Sequence, residues 1–119
     1  MIVAQRFLSL NSQERLALIE PDPRDRPLIV QFAADDPEIL LAAARAAQDY
    51  CDAVDLNLGC PQPQAVRDHY GSILMEEPEL VGKLLVSWPF CSFKRHCRCW
   101  NANGLHGCPR ARSHSQNPW

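Results

Sequence analysis

Short apolar runs, separated by polar and proline-containing stretches, divide the first part of the chain into candidate elements. Residues 28–32 are almost wholly apolar, which is typical of a strand buried on both faces of a parallel sheet. In residues 53–58, three aliphatic side chains alternate with Asp55 and Asn57, and this period of two is typical of a strand. The pattern therefore predicts two strands with one intervening segment.

The intervening segment has the features of a helix. Asp35 and Asp36 offer an N-cap before Pro37, which suits the first helical position, and residues 38–50 are rich in alanine and leucine. We expect its buried stripe to consist of Ile39, Leu40, Ala43, Ala46, Ala47 and Tyr50. The order of strand, helix and strand predicts a right-handed crossover that leaves the two strands parallel.

The segments on either side give looser patterns. Residues 1–4 fit the end of a short strand, and residues 7–19 fit a loop with one helical turn. Residues 62–67 are predicted to form a polar loop. Further along, Pro78 is placed to open a helix over residues 79–85.

Residues 87–119 differ from the rest of the chain in composition. All 14 Asp and Glu lie within residues 1–86, whereas the last segment carries basic residues, all three Trp and four of the six Cys. Its side chains follow neither a helical nor a strand period. We therefore predict a partial folded domain over residues 1–86 and an unstructured or aberrant basic tail over residues 87–119, of a kind that an out-of-frame or intronic reading produces.

Membrane insertion and secretion are not indicated. No apolar run approaches the roughly 18 residues that a membrane-spanning helix needs, and the N-terminus lacks the pattern of a signal peptide. We therefore expect no membrane partner, reduced cysteines and a cytoplasmic location, with the nucleus as the alternative.

Two side chains near the predicted strands are candidates for chemistry. Gly59 and Pro61 flank Cys60 at the exit of the second strand and restrict the backbone that carries its thiol. Cys60 is therefore either a buried structural cysteine or a thiol aimed at a ligand. Gln31 also has two interpretations, because an amide in an apolar strand either closes a hydrogen-bond network in the core or faces a ligand.

The thiol belongs to a longer motif. The sequence Asp-Leu-Asn-Leu-Gly-Cys-Pro-Gln over residues 55–62 is followed, after six residues, by His-Tyr-Gly over residues 69–71. This motif resembles the signature of the tRNA-dihydrouridine synthases and is most similar to the eukaryotic branch that acts on D-loop positions 16 and 17. The resemblance covers residues 27–85 and extends to Met1. It implies an α/β fold, namely a fragment of a TIM (β/α)8 barrel with about three parallel strands and intervening helices, followed by an irregular tail.

The resemblance also implies an activity, the reduction of uridine to 5,6-dihydrouridine in tRNA. FMN would supply the hydride, NADPH or NADH would be the reductant, and Cys60 would donate the proton. A thiol suits this step because it is mostly protonated near neutral pH. The target base has to leave its stack to reach such a site. Neither a metal ion nor an obligate protein partner is implied.

The remaining site residues follow from the same resemblance. Gln31 and Met1 are assigned to cofactor binding. Residues assigned to the tRNA substrate are Asn57, Arg67, His69 and Tyr70. A lone loop histidine more commonly contacts substrate or stabilises structure than acts as a base, so His69 is not assigned a catalytic role.

Departures from the family pattern keep two alternatives open. Val66 and Asp68 stand where a lysine and a glycine are expected, and a complete barrel needs about 250 residues. The first alternative is therefore a catalytically inactive, truncated remnant that does not bind FMN tightly alone. The second is a small zinc-binding or RNA-binding module formed by the tail. Its candidate zinc ligands are Cys97, Cys99, His106 and Cys108, although their spacing is shorter than usual for structural zinc.

Overall fold

The computed structural model describes residues 1–86, together with the backbone of residues 99–101 and 104–106. The sheet contains five strands, in the order β1 to β5: β1 Ile2–Val3, β2 Ile29–Ala33, β3 Ala53–Leu56, β4 Cys99–Asn101 and β5 Gly104–His106. The first four strands are parallel to one another, and β5 is antiparallel to β4. The helices are α1 Ala4–Ser9, α2 Ser12–Ile19, α3 Pro37–Ala47, α4 Pro63–Arg67 and α5 Pro78–Val86, with a 3₁₀ helix at Gly71–Glu76.

The predicted unit of two parallel strands and a helix is confirmed in β2, α3 and β3. The two strands are in parallel register, with Gln31 opposite Asp55. β3 ends at Leu56, two residues earlier than predicted. It ends there because the backbone N–H groups of Gly59 and Cys60, which follow the strand, donate to the side chain of Asn57 and not to a neighbouring strand.

Helix α3 begins as the sequence predicted. The Asp36 carboxylate accepts hydrogen bonds from the backbone N–H groups of Glu38 (2.7 Å) and Ile39 (3.1 Å), and Pro37 is the first helical residue. The predicted buried stripe is partly wrong. The buried residues are Leu40, Ala43, Ala44 and Ala47. The helix ends at Ala47, so Tyr50 lies beyond it and is 38% exposed.

The predicted loop over residues 7–19 is wrong, because two helices occupy it. α1 follows β1 directly and buries Phe7, whose ring lies 5.2 Å from that of Phe32. α2 begins with a capping box, in which Asn11 accepts from the backbone N–H of Glu14 and the Glu14 carboxylate accepts from the backbone N–H of Asn11. The Arg15 guanidinium donates to the carbonyl oxygens at the end of α1, so tertiary contacts hold both helices.

Two further boundaries differ from the predictions. The predicted polar loop over residues 62–67 contains helix α4, with Pro63 at its first position. The predicted helix after Pro78 is confirmed as α5 and is preceded by the 3₁₀ helix. Together these elements bring the chain that follows β3 back over the carboxyl end of the sheet.

The two faces of β2 and β3 have different surroundings. One face carries Val30, Phe32, Val54 and Leu56, and it packs against the helices in the main hydrophobic core. The largest fully buried side chains of this core are Phe7, Phe32, Leu40, Leu74, Leu84 and Val54. The opposite face carries polar side chains, described in the next subsection. At its amino end Ile29 is 53% exposed.

The tail was predicted to be irregular, but six of its residues form strands. Trp100 in β4 is in register with Asp55, and Cys99 in β4 is in register with His106 in β5. Backbone hydrogen bonding along the edge of β3 accounts for these strands, and it requires no alternation of side chains. The rest of residues 87–119 lies outside the described residues, as do the side chains of the four candidate zinc ligands. Within the described part of the chain, no helix combines the length and apolar character needed to cross a bilayer.

Candidate active site at the carboxyl end of β3

Gln31 and Asp55 form the centre of the polar face. They lie opposite each other in the parallel register of β2 and β3, and the Gln31 Nε2 atom donates to Asp55 Oδ2 at 2.6 Å. Both side chains are half-buried. Gln31 lies in the middle of β2, and its side chain contacts Asn57, which follows the carboxyl end of β3.

Asn57 connects this pair to the loop that carries the thiol. Its Nδ2 atom donates to Gln31 Oε1 at 3.1 Å. Its Oδ1 atom accepts from the backbone N–H groups of Gly59 and Cys60, both at 3.1 Å. The backbone N–H of Asn57 still donates to the Phe32 carbonyl at 2.8 Å, so the asparagine is anchored to β2 while its side chain shapes the loop.

The backbone of Cys60 is held from two sides. Its N–H donates to Asn57, and its carbonyl oxygen accepts from both the backbone N–H and the Oγ atom of Ser72, each at 3.0 Å. The residue is half-buried and packs against Ala33, Ala65 and Tyr70. A thiol on a backbone fixed in this way is positioned before any ligand arrives.

Gly71 lies directly against this cysteine. Its φ is +78°, which a residue with a Cβ rarely adopts. A Cβ built on Gly71 would lie 2.6 Å from the carbonyl oxygen of Cys60 and 2.8 Å from the Cβ of Cys60. Only glycine therefore allows the 3₁₀ helix to begin this close to the thiol-bearing loop.

His69 joins three segments at the rim of the site. Its Nδ1 atom lies 3.1 Å from Asp35 Oδ2, just after β2, and its Nε2 atom lies 2.6 Å from Glu77 Oε1, just before α5. The hydrogen bonds to Glu77 and Asp35 raise the pKa of the imidazole. His69 also has a positive φ of 53°. It is therefore a partly exposed, cation-favouring link between loops.

Arg67 and Tyr70, the other predicted substrate contacts, have different surroundings. Arg67, at the end of α4, donates from Nη2 to Gln64 Oε1 at 2.6 Å. Gln64 in turn donates to Asp68, so Arg67 is drawn into a surface network. Tyr70 is buried against Ala33 and Ala65, which gives it a packing role in the structure.

Met1, which the resemblance assigned to the cofactor, lies beside the polar face. Ile2 is in register with Phe32, so Met1 is one residue earlier and level with Gln31. Strand alternation places it on the same side as Val3, which packs near Ala33. Met1 is 57% exposed and is therefore accessible to a ligand.

The polar face has hydrogen-bonding capacity to spare. An amide side chain offers two donors and two acceptor positions. After the bonds above, Gln31 keeps one N–H and one acceptor position, and Asn57 keeps one N–H. This set matches the carbonyl and ring nitrogen edge of a flat heterocycle, so these residues fit the uracil ring or the isoalloxazine ring of FMN. Among the described residues, no group of three or more His, Cys, Asp and Glu side chains could hold a metal ion.

Several residues of the site were not found from the sequence. Asp55 was treated only as a polar position in a strand, because its partner Gln31 is 24 residues away and the register was not known. Asp35 was considered as a helix cap, and it instead contacts His69. Ser72 gave no signal, since its role depends on the turn that Gly71 makes.

Comparisons with known proteins find a matching family model and several relatives. Residues 1–87 match the family model described as "Dihydrouridine synthase (Dus)". A Mus musculus protein named as tRNA-dihydrouridine(16/17) synthase-like is 51% identical over 87 residues, which cover 72% of this chain and 18% of the mouse protein. The tRNA-dihydrouridine(16/17) synthase of Saccharomyces cerevisiae is 66% identical over 61 residues, covering 51% of this chain and 14% of the yeast protein.

A relative whose name gives other tRNA positions also matches. A Homo sapiens tRNA-dihydrouridine(20a/20b) synthase-like protein is 43% identical over 81 residues, covering 68% of this chain and 25% of the human protein. The names of all three relatives carry NAD(P)+. The chain thus spans a quarter or less of the length of each of these relatives.

Proposed function

The chain belongs to the dihydrouridine synthase family, as its motif predicted, and on that premise we propose that residues 1–86 form the thiol-bearing part of an active site that reduces uridine to 5,6-dihydrouridine in tRNA. One observation carries the proposal. A continuous chain of hydrogen bonds links Gln31, Asn57 and the backbone of Cys60 at the carboxyl end of parallel strands. Asn57 is the link, because it contacts both Gln31 and the backbone of Cys60.

The sheet itself is proposed to be part of a TIM barrel. In such barrels the helices form the outer ring, and the active site lies at the carboxyl ends of the strands. The helix-covered face of β2 and β3 suits the outer side, and the face with Gln31 and Asp55 suits the barrel interior. Cys60 follows the carboxyl end of β3, where a barrel enzyme places catalytic residues.

Cys60 is proposed to supply the proton. Gln31 and Met1 would hold FMN, which would supply the hydride for C6 of the uracil ring, with NADPH or NADH as the reductant. The Cys60 Sγ–H bond breaks as a C–H bond forms at C5, and the resulting thiolate takes a proton from water. The fixed backbone of Cys60 limits the thiol to the few positions that side-chain rotation allows, so less reorganisation is needed when the base arrives.

The neighbouring residues are proposed to orient the two rings. Gln31 directs its remaining N–H and acceptor position toward FMN, and Met1 is level with it on the same face. Asn57 directs its remaining N–H toward the uracil ring. The flipped nucleotide is proposed to enter past His69 and Arg67, where the positive charge of the Arg67 guanidinium favours phosphate. The buried position of Tyr70 favours a role in the wall of the pocket over a direct contact with tRNA.

The yeast relative provides a test. Its 61-residue matching segment is replaced by the corresponding segment of this chain, including Gln31, Asn57 and Cys60, in a yeast strain that lacks the native enzyme. The proposal predicts that dihydrouridine returns at positions 16 and 17, as measured by mass spectrometry of purified tRNA. An assay of the 119-residue chain alone, with tRNA, FMN and NADPH, tests whether this chain is sufficient for activity. A folded, flavin-containing chimaera that leaves tRNA unmodified would favour the inactive remnant instead.

A further inference from the structure

We propose that Asp55 is a positioning residue that fixes the orientation of two amide side chains and, through them, the backbone of Cys60. Asp55 is half-buried on the polar face, opposite Gln31 in the register of β2 and β3. Its Oδ2 atom accepts from Gln31 Nε2 at 2.6 Å, a short hydrogen bond to a charged acceptor. The family motif contains this aspartate, but the proposal comes from the order of donors and acceptors.

That order follows from the chemistry of the carboxylate. An ionised carboxylate can only accept hydrogen bonds, so the Gln31 amide has to turn its NH2 group toward Asp55. Its oxygen then faces the other way and accepts from Asn57 Nδ2. If the Gln31 amide were reversed, its oxygen would face the carboxylate at the same distance, and the two would repel each other.

The second amide transmits the orientation to the loop. Because Asn57 donates to Gln31 through Nδ2, its Oδ1 atom faces the backbone N–H groups of Gly59 and Cys60 and accepts from both. A reversed Asn57 would present an NH2 group to two other donors and would lose both bonds. Asp55 therefore determines whether the loop is held, although no hydrogen bond of the described chain joins it directly to Cys60.

The same order determines what the polar face offers to a ligand. One N–H of Gln31 and one N–H of Asn57 remain available, with a single acceptor position on Gln31. With the unused oxygen positions of the Asp55 carboxylate, the face presents both donors and acceptors, which suits a ring edge that carries carbonyl oxygens and N–H groups. This consequence rests on the proposed function, whereas the hydrogen-bond order does not, and the experiment below measures the order without any activity.

The test uses hydrogen exchange of the Gly59 and Cys60 backbone amides in the full chain. Asp55→Asn keeps the shape of the side chain but allows either end to face Gln31, so both amide orientations become accessible. We expect exchange at both backbone amides to become about tenfold faster, as expected for the loss of one hydrogen bond. The backbone N–H of Asn57, which donates to Phe32, serves as the internal reference and keeps its rate. Asp49→Asn, the same chemical change on an exposed side chain, is the matched control and leaves all three rates unchanged.

A charge swap separates orientation from ordinary structural loss. In the double variant Gln31→Glu and Asp55→Asn, the carboxylate moves to position 31 and accepts from both position 55 and Asn57, so Asn57 keeps its orientation. We expect this variant to restore the wild-type exchange rates at Gly59 and Cys60. Unchanged rates in Asp55→Asn, or fast rates that persist in the double variant, would overturn the proposal.

A measurement on the unmodified chain keeps the proposal testable if the variants do not fold. Nuclear Overhauser contacts are expected between the Gln31 NH2 protons and the Asp55 Cβ protons, and between the Asn57 NH2 protons and the Gln31 Cγ protons. Contacts from the Asn57 NH2 protons to the backbone N–H of Gly59 would show the reversed order and refute the assignment.

Discussion

The two ends of β3 each carry a cysteine, and the two thiols have different surroundings. Cys51 precedes the amino end of the strand, and Cys60 follows its carboxyl end. Cys51 is buried in the main core, whereas Cys60 is half-buried beside the polar face. The same residue type is therefore a core residue at one end of the strand and a candidate proton donor at the other.

The amino end is organised for stability. The Cys51 thiol donates to the Ala47 carbonyl at 3.3 Å, and burial, with a smaller contribution from the charge of Asp52, raises its pKa to about 11. Asp52 accepts from the backbone N–H of Leu28 at 2.8 Å and from Arg26 at 2.9 Å. These contacts join the beginnings of β2 and β3 beside the buried Cys51 thiol.

The carboxyl end suits the proposed chemistry. Cys60 has its backbone fixed by Asn57 and Ser72, and the side chains around it keep unused donors and an acceptor. Under the proposed function, strand direction would decide which cysteine can act, in keeping with the placement of active sites in parallel α/β proteins. Each of the following predictions changes one end and leaves the other as its reference.

Alkylation is expected to show the largest difference between the two ends. With a pKa of about 11, only about a thousandth of Cys51 is thiolate at pH 8, and the thiol is also buried. We expect iodoacetamide to modify Cys60 at least about 100-fold faster than Cys51 in the native chain. Peptide-resolved mass spectrometry distinguishes the two sites, and the rates should converge in concentrated urea. Similar rates in the native state would contradict the comparison.

Substitution of Gly71 is expected to disturb the carboxyl end most strongly. In Gly71→Ala the new Cβ meets the backbone of Cys60 and the positive φ adds strain. We expect the free energy of unfolding to fall by about 2–4 kcal/mol, as measured by urea denaturation. Gly82→Ala is the control, since a Cβ there meets nothing within 4 Å. It lies within α5, so it should stabilise the chain by about 0.5–1 kcal/mol. A Gly71→Ala chain as stable as the wild type would argue against the close packing described.

Removal of Asp52 is expected to weaken the amino end alone. Asp52→Ala leaves the backbone N–H of Leu28 without its carboxylate partner and breaks the ion pair with Arg26. We expect a loss of about 1–3 kcal/mol in the free energy of unfolding, with faster alkylation of Cys51 and an unchanged rate at Cys60. Asp49→Ala provides the exposed control. Faster alkylation of Cys60 would show that the two ends are not independent.

A pH effect at the rim of the carboxyl end is expected to be the smallest. The pKa of His69 is raised by Glu77 and Asp35, so its stabilising contribution is fully present below the unfolded value of about 6.5 and is lost as the pH rises through the folded value. Because the side chains are partly exposed, we expect a change below about 1 kcal/mol. Urea denaturation between pH 5 and 9 measures it. His69→Gln should remove this part of the pH dependence, and an identical profile in that variant would exclude the contribution.

Local patterns predicted the parts of the fold that depend on short stretches of sequence. The alternation around Asp55 and the cap at Asp36 were sufficient to predict the order of β2, α3 and β3. The helices at residues 4–19 were missed because the burial of Phe7 and the contacts of Arg15 are tertiary. The strands in the tail were missed because they follow from pairing with the edge of β3.

The candidate site shows the same difference between what local patterns predict and what contacts between distant segments determine. The motif makes Cys60 and Asn57 candidate site residues, because both lie within one short stretch. It could not identify Asp55 as the partner of Gln31, since that contact depends on the register between two strands. It also could not connect His69 to Asp35, which lies 34 residues earlier in the chain. Contacts between distant segments had to come from the structure.

The most direct test of the account compares the two cysteines in the yeast chimaera described above. Cys60→Ala and Cys51→Ala are introduced separately, and dihydrouridine at positions 16 and 17 is measured after checking that each protein retains flavin. The account predicts that Cys60→Ala lowers the rate of dihydrouridine formation by about 100-fold or more, whereas Cys51→Ala changes stability but keeps the activity. Equal activity in the two variants would contradict the assignment of the proton donor to the carboxyl end of β3.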